Sequence, residues 1–304
     1  VEIEGGGSKG SASAYKDYAA GSLAGLATVT IGHPFDTVKV MLQKHNAGTD
    51  GVKYKNAFHC TARILQTQGV KGLYRGATPS FIGVSLQSSL MFGIYSQTKR
   101  FLQGGENTDR PLARVVFPSA AFAGAIISFV LCPTDVMKCR MQVQGTDSSI
   151  PSHLKYRNPL DCAVKTARTE GMAGVFRGGV SMCMRESIGN GVFFTVYENI
   201  RYYMNGSVRR DNKLIDMGIG ILSGGLAGVA SWCVILPVDV AKTIIQTAPD
   251  GAYTRNPFSV LGTIYRDVGM RGLYAGIGPT LARAFPANAA TIVTWELARN
   301  FLYS

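Results

Sequence analysis

Three short motifs place an acid and a base three residues apart, behind a proline. They read Pro34-Phe-Asp36-Thr-Val-Lys39, Pro133-Thr-Asp135-Val-Met-Lys138 and Pro237-Val-Asp239-Val-Ala-Lys242. Because residues three apart on a helix lie on the same face, each motif presents one negative and one positive group together. Three copies around an axis would form a ring of ion pairs between helices, in which each acid faces the next copy's lysine. The alternative is three local pairs, each within one helix.

A second group of ionisable residues lies inside otherwise apolar stretches, where charge is costly and usually functional. Arg185-Glu186 and Arg283 are such residues, and each arginine lies 12 positions before an aromatic residue, Tyr197 or Trp295. The equal spacing predicts one common depth for both arginines. Guanidinium groups suit a carboxylate, and a carboxylate suits a cation. A ligand carrying both, such as a basic amino acid, would satisfy all three groups, unless one arginine pairs permanently with Glu186.

Four polar or aromatic residues are further candidates for lining the same cavity. They are Gln87, Asn190, Trp232 and Asn288. Gln87 is the polar group that the second apolar segment offers at this level, whereas helix packing explains the other three equally well. The six cysteines form no CxxC pair and no ligand cluster, so we expect no metal and no cofactor. The chain has no nucleophile elbow, P-loop or HExxH motif, which argues against an enzyme.

A third set of pairs lies at the far ends of the other apolar segments. The motifs are Tyr197-Glu198-x-x-Arg201, Trp295-Glu296-x-x-Arg299 and, without the acid, Tyr95-Ser96-x-x-Lys99. Two of three pairs can therefore form, and an ion pair near a wet surface is worth about 0–1 kcal/mol. We expect a weaker gate here than at the proline motifs. Two opposed gates around one cavity are what alternating access requires.

These motifs belong to three copies of one unit. The three prolines are 99 and 104 residues apart, and a glutamine follows each motif lysine by four positions, namely Gln43, Gln142 and Gln246. Downstream, Gly-x-x-Gly-x-aromatic-x-Gly recurs at 69–76, 171–178 and 269–276. Small residues four apart precede each proline (Gly21/Gly25, Ala120/Gly124, Gly224/Gly228) and predict close helix packing. So many equal offsets indicate an internal threefold repeat.

Each unit contains two apolar segments of membrane-spanning length. They are residues 18–35, 115–132 and 217–238, which end at the proline motifs, and about 76–98, 178–197 and 276–295. Since a hydrocarbon core needs about 20 helical residues, we predict an all-α membrane protein with six transmembrane helices in three pseudo-threefold repeats. Short amphipathic surface helices should lie between the partners. Solenoid helices, the soluble alternative, rarely leave so long a stretch uncharged.

The composition agrees with helices that enclose a polar interior. Only 16% of the 304 residues are charged, 36 are glycine and the formal net charge is +12. The basic residues are spread through the loops rather than forming one stripe with aromatic residues, so we expect no nucleic-acid partner. Residues 1–14 are rich in glycine and serine and predict a flexible tail. The repeats would then cover 15–112, 113–211 and 212–304, as one transport domain and most simply as a monomer.

The chain after this tail resembles the mitochondrial carrier family, whose Pro-x-[Asp/Glu]-x-x-[Lys/Arg] signature it carries three times. The resemblance implies a multi-pass protein of the mitochondrial inner membrane, with the proline motifs toward the matrix and the other motifs toward the cytoplasm. The implied matrix pairs are Asp36–Lys138, Asp135–Lys242 and Asp239–Lys39, braced by Gln43, Gln142 and Gln246. The implied cytoplasmic pairs are Glu198–Arg299 and Glu296–Lys99, with Ser96 facing Arg201. The family also binds cardiolipin, but its Glu-Gly signature is kept only at Glu170-Gly171.

Within this family the chain is most similar to the plant basic amino acid carriers. Arg185-Glu186 matches the pair at the substrate contact point of amino-acid carriers, and the segment Arg283-Ala-Phe-Pro-Ala-Asn288 looks like their sixth helix. The resemblance implies exchange of arginine, lysine, ornithine or histidine. Gln87 departs from the glutamate of those relatives, which weakens the expected hold on a cation. The alternative is a carrier for carnitine and acylcarnitine or for another zwitterionic amino acid.

Overall fold

The predicted helices are all present in the computed structural model, which describes residues 9–47, 54–103, 112–144, 156–207, 213–247 and 256–303. In chain order they are α1 (Lys9–Ala47), α2 (Ala57–Gln68), α3 (Val70–Leu73), α4 (Ala77–Gln103), α5 (Ala113–Val143), α6 (Pro159–Val175), α7 (Gly179–Ser207), α8 (Lys213–Thr247), α9 (Pro257–Val268), α10 (Met270–Leu273) and α11 (Ile277–Tyr303).

Six of these helices are long and form a closed ring. The ring runs α1, α4, α5, α7, α8 and α11, and α11 packs back against α1. The shorter α2, α6 and α9 connect the members of each pair, and each begins at an asparagine whose side chain accepts a backbone N–H of the first turn. This arrangement confirms the predicted all-α fold with three repeats of two long helices. The tail differs from expectation, because α1 begins at Lys9 rather than after Ala14.

Two of the long helices could cross a membrane by length and composition alone. They are α5 and the Gly218–Thr247 part of α8. The other four long helices include polar and charged side chains that face the interior of the bundle, among them Gln87 and Arg283. Such side chains lower the hydropathy of a helix and are expected along a pathway through a membrane protein.

The recurring glycine pattern shapes the connection from each surface helix to the next long helix. Its first and last glycines adopt positive φ, between 67° and 85°, in all three repeats. Such backbone angles favour glycine, which has no Cβ. The middle glycine is tightly packed instead; a Cβ on Gly174 would lie 2.3 Å from Glu170 Cβ. Each glycine in the pattern thus has a steric reason.

The small-residue pairs before the prolines differ in the packing that the structure describes for them. A Cβ on Gly124 of α5 would lie 2.4 Å from the backbone oxygen of Glu186, so this glycine lets α7 approach α5 closely. Gly25 is looser, with its nearest described atom 4.0 Å away, and no atom of the described residues would lie within 4 Å of a Cβ on Gly224 or Gly228. Both glycines of α8 form part of a cavity wall. That this pair serves close packing stays a prediction.

The joints between the proline helices and the surface helices differ among repeats. The first and third are apolar, with Met41 and Ile244 in small cores. The second has Arg140 at the equivalent position, and it donates to both Glu170 carboxylate oxygens at 2.5 and 2.9 Å. Arg177 adds a contact of 3.1 Å to the same carboxylate. Repeat two is thus held by a buried charged triad where its neighbours use apolar packing.

We predict that Glu170→Gln destabilises the protein much more than Asp161→Asn. Breaking a buried ion pair costs about 3–5 kcal/mol, because charged partners stay buried. Asp161 and Lys165 instead form a partly exposed pair, which solvent screens and which contributes little to stability. The melting temperature of the purified protein in detergent measures both. Equal losses for the two variants would contradict the buried triad.

The same site should make stability depend on pH. Burial raises the pKa of the Glu170 carboxyl, but hydrogen bonds and charges from Arg140 and Arg177 outweigh it, so its pKa lies below the usual value. A lowered folded-state pKa stabilises the protein above the carboxyl's ordinary pKa, and this contribution is lost as the pH falls through the folded-state pKa. The melting temperature of Glu170→Gln should therefore fall less steeply than that of the unmodified protein as the pH is lowered.

Candidate functional site

The six motif residues meet at one end of the bundle as three ion pairs between helices. The pairs are Lys138 with Asp36 (Nζ to Oδ2, 2.8 Å), Lys39 with Asp239 (2.7 Å) and Lys242 with Asp135. We call these six residues the proline-side ring. Their side chains are 4–19% exposed, so each charge depends on its partner for compensation. The structure brings together the three predicted pairs; that they gate a pathway stays a prediction.

The three glutamines do not share one role, which corrects the expected brace beneath all three pairs. Gln43 donates to Asp239 Oδ2 at 2.8 Å and accepts a hydrogen bond from Thr243. Gln142 instead donates to the hydroxyl of Thr37 at 3.1 Å. The side-chain amide of Gln246 is buried and makes no hydrogen bond within the described part of the chain. Gln43 therefore braces the ring carboxylate of Asp239, whereas the amide of Gln142 is hydrogen-bonded to Thr37 instead.

Two adjoining cavities lie inside the bundle above the ring. The smaller, of about 240 Å³, is lined by the proline-side ring, and the larger, of about 670 Å³, extends to Tyr197 and Gly220. Gln87, Arg185, Trp232 and Arg283 line both cavities. These four side chains thus lie at the boundary between an open chamber and the closed ring. The predicted midplane residues therefore face one continuous space.

Glu186 lies in this boundary region with its carboxylate fully engaged by donors. Arg185 donates to Oε1, while Asn190 and Gln87 donate to Oε2 at 3.0 and 3.3 Å. The residue is only 3% exposed, and Gly124 lies against its backbone. The alternative that one arginine pairs with Glu186 is what the structure shows for Arg185. An incoming cation would have to replace one of these donors, and the Gln87 amide makes the longest contact.

Both midplane arginines also reach down to acids of the proline-side ring. Arg283 Nε lies 3.3 Å from Asp36 Oδ1, and Arg185 Nε lies 3.6 Å from Asp239 Oδ1. Pairing of Arg185 with Glu186 therefore does not leave Arg283 without an acidic partner. Asp36 and Asp239 each face two cations, whereas the described contacts of Asp135 include one cation, Lys242.

Of the two remaining predicted cavity residues, the structure describes the side chain of Trp232 but not that of Asn288. Trp232 lines both cavities, and Lys39 Nζ lies 3.9 Å from the centre of a Trp232 ring, a cation–π contact. Trp232 therefore connects the chamber to a ring lysine. The side chain of Asn288 lies outside the described residues, as do those of Trp295, Glu296 and Arg299.

At the far end of the bundle, Glu198 is paired with Lys99 rather than as expected. Lys99 Nζ donates to both carboxylate oxygens of Glu198 at 2.7 Å, and the Tyr95 hydroxyl donates to the same group. The assignment of Lys99 to Glu296 is therefore wrong. α4 and α7 run antiparallel to the proline helices, so the acid and the base of each motif follow one another in the opposite sense around the axis. At the proline end an acid therefore pairs with the base of the next repeat, whereas Glu198 pairs with the base of the preceding repeat.

Arg201 does not face an acid within the described residues. Its guanidinium donates to the Tyr197 hydroxyl at 3.0 Å, and the Tyr197 ring stacks parallel to Phe193 with centroids 6.0 Å apart. Among the described residues, the far end therefore combines the Lys99–Glu198 ion pair with an aromatic stack. That this end closes more weakly than the proline-side ring stays a prediction.

Sequence reasoning missed the two hydroxyl partners of the glutamines. Thr37 follows Asp36, whereas Thr243 follows Lys242. The two threonines occupy different repeat positions, so no shared offset could indicate them.

The sequence compares closely with known transport proteins along its whole length. The sequence model of a family described as "Mitochondrial carrier protein" matches residues 10–106, 113–208 and 215–304. The chain is 59% identical over 292 residues to the mitochondrial arginine transporter BAC1 of Arabidopsis thaliana, covering 95% of this chain and 94% of the relative.

Two further relatives are named for different classes of substrate. The mitochondrial basic amino acids transporter of Bos taurus is 37% identical over 282 residues, covering 91% of this chain and 89% of the relative. The mitochondrial carnitine/acylcarnitine carrier protein of Homo sapiens is 34% identical over 289 residues, covering 94% of each chain.

We predict that the protein tolerates a charge exchange within the Asp135–Lys242 pair better than one within the Asp36–Lys138 pair. Asp135→Lys with Lys242→Asp keeps an ion pair, whereas Asp36→Lys with Lys138→Asp places a lysine against Arg283. The second double variant should therefore melt at a lower temperature than the first, and each corresponding single reversal should melt lower than its double variant. Equal melting temperatures for the two double variants would show that Arg283 does not contact Asp36 in the folded protein.

Proposed function

The chain belongs to the mitochondrial carrier family, and from this premise we propose that it exchanges basic amino acids across the mitochondrial inner membrane. Like other members of this family of transporters, it is a multi-pass protein of that membrane. We place the proline-side ring toward the matrix and Lys99 and Glu198 toward the cytoplasm. In the structure described here the large chamber would then be the cytoplasmic approach to a closed matrix gate.

The observation that carries the proposal is the charge set at the base of the chamber. Arg283 and Arg185 present guanidinium groups, and Glu186 presents a carboxylate, all lining the same 670 Å³ cavity. A basic amino acid carries a carboxylate for a guanidinium and a distal cation for Glu186. Because charged groups in a membrane interior need partners, such a substrate is matched group by group.

The contacts also indicate which groups receive the substrate. Glu186 already accepts from three donors, and the guanidinium or ammonium group of a substrate can replace the Gln87 amide as an N–H donor. Arg283 makes an ion contact with Asp36 and is more exposed than Arg185, at 27% against 17% of the side chain. We assign the substrate carboxylate to Arg283 and the distal cation to Glu186.

This assignment couples binding to the matrix gate. When the substrate carboxylate takes the Arg283 guanidinium, Asp36 loses one of its two cations and the ring pair with Lys138 loses support. Binding energy thus offsets part of the cost of opening the ring, as differential binding to two states requires. An empty carrier keeps both cations on Asp36 and stays closed, which favours exchange over one-way passage.

Carnitine and its acyl esters are the second candidate class, and one observation favours them. The chamber is large, at about 670 Å³, which gives room for an apolar chain. A quaternary ammonium group, however, donates no hydrogen bond to Glu186, and the arginine transporter named above shares far more identity with this chain than the carnitine carrier does.

The remaining features of the proposal concern partners. We infer that the protein is a transporter rather than an enzyme and works as a monomer, with the repeats 15–112, 113–211 and 212–304 enclosing one pathway. We further propose contacts with cardiolipin and other inner-membrane lipids at the surface helices. Glu170, the acid of the family's lipid-side signature, is occupied by Arg140 and Arg177, so it orders the joint rather than facing lipid.

The test is uptake of labelled arginine into vesicles reconstituted with the purified protein and preloaded with arginine or lysine. We expect uptake that requires internal substrate, and loss of most uptake in Glu186→Gln, because the amide offers the substrate cation no negative charge. Gln87→Glu should act in the opposite direction and lower the KM, because it adds a second carboxylate beside the cation.

Carnitine supplies the discriminating arm. Unlabelled lysine should compete with labelled arginine, whereas carnitine at the same concentration should not. Transport of carnitine without arginine transport would overturn the proposed substrate class.

A further inference from the structure

Gly32 of α1 lies against the guanidinium of Arg283. A Cβ added to Gly32 would lie 2.7 Å from Arg283 Nε and 3.5 Å from Cζ and Nη2. The first distance is shorter than any van der Waals contact, so a side chain at position 32 and Arg283 cannot occupy their present places together. The missing side chain therefore forms a notch, one helical turn before Asp36, into which the arginine fits.

The repeat shows that this glycine is not a general feature of the proline helices. The residues two positions before the other motif prolines are Leu131 and Ile235. The residues 12 positions before the far-end aromatic residues are Gly83, Arg185 and Arg283. At the repeat position of Arg283, α4 therefore has a glycine and α7 has Arg185. Glycine occurs in α1, where Arg283 from α11 lies across it.

The two arginines differ in their acidic contacts. Arg283 Nε lies 3.3 Å from Asp36 Oδ1, and Arg185 Nε lies 3.6 Å from Asp239 Oδ1. Arg185 also donates to Glu186, whereas Asp36 is the acid within 4 Å of Arg283 among the described residues. Among the described residues, the notch thus accompanies the arginine whose acidic contact is a gate residue alone, whereas Arg185 is shared between Asp239 and Glu186.

We propose that Gly32 is a positioning residue that seats Arg283 on Asp36 and thereby holds the matrix gate closed in the empty carrier. The inference rests on the proposed function for its role in transport, because it assumes that Arg283 moves from Asp36 to the substrate carboxylate. A side chain at position 32 displaces Arg283 toward the chamber, which removes the second cation from Asp36. The gate then closes less firmly without substrate.

The first test needs no substrate and measures the melting temperature of the purified protein in a double-mutant cycle. Gly32→Ala should lower it by about 2–4 °C, and it should cause no further loss when Arg283 is already alanine. The matched control is Gly25→Ala in the same helix, whose Cβ would have its nearest neighbour 4.0 Å away and which should not lower the melting temperature. An equal loss from Gly32→Ala with and without Arg283 would overturn the proposal, as would no loss at all.

The second test measures coupling in reconstituted vesicles. In Gly32→Ala the ratio of arginine uptake into empty vesicles to uptake into preloaded vesicles should rise several-fold, while Gly25→Ala keeps the wild-type ratio. An unchanged ratio would overturn the role in gating. If the unmodified protein transports no arginine, the proposed function fails, whereas the melting cycle still decides whether Gly32 seats Arg283 on Asp36.

Discussion

Charges buried within a membrane must always have partners, and the interior of this bundle is organised by that constraint. Among the described residues, eleven ionisable side chains meet near its axis or its ends. They are the six residues of the proline-side ring together with Arg185, Glu186, Arg283 and, further out, Glu198 with Lys99. Removing one partner from a buried pair is costly. A path can therefore open only if each charge that loses a partner gains another, and a zwitterionic substrate supplies both signs at once.

The three repeats meet this constraint unequally. Asp36 and Asp239 each face a lysine and an arginine, while Asp135 faces Lys242 because Gly83 stands in α4 where the other repeats have arginine. The joint between the proline helix and the surface helix is charged in repeat two and apolar in the others. A pseudo-symmetric frame thus encloses an asymmetric site. In the proposed function this asymmetry separates the group assigned to the substrate carboxylate, Arg283, from the group assigned to its cation, Glu186.

Much of this could be predicted from the sequence because repetition multiplies weak signals. Three equal motifs indicated the helices, the ring and its pairing direction, and burial indicated Arg185, Glu186 and Arg283. Contacts that occur in one repeat gave no such signal, as with Thr37, Thr243 and the second partners of the arginines. The pairing of Lys99 with Glu198 was missed because helix direction, rather than spacing, decides it.

The central claim is that the substrate carboxylate opens the matrix gate by taking Arg283 from Asp36. It is tested most directly by the distance between spin labels at the exposed Thr67 and Thr169 on α2 and α6, in protein whose exposed Cys233 is serine. Arginine should lengthen this distance, whereas agmatine, which has the same guanidinium but no carboxylate, should leave it as in the empty protein. A change of the same size with agmatine, or none with arginine, would contradict the account.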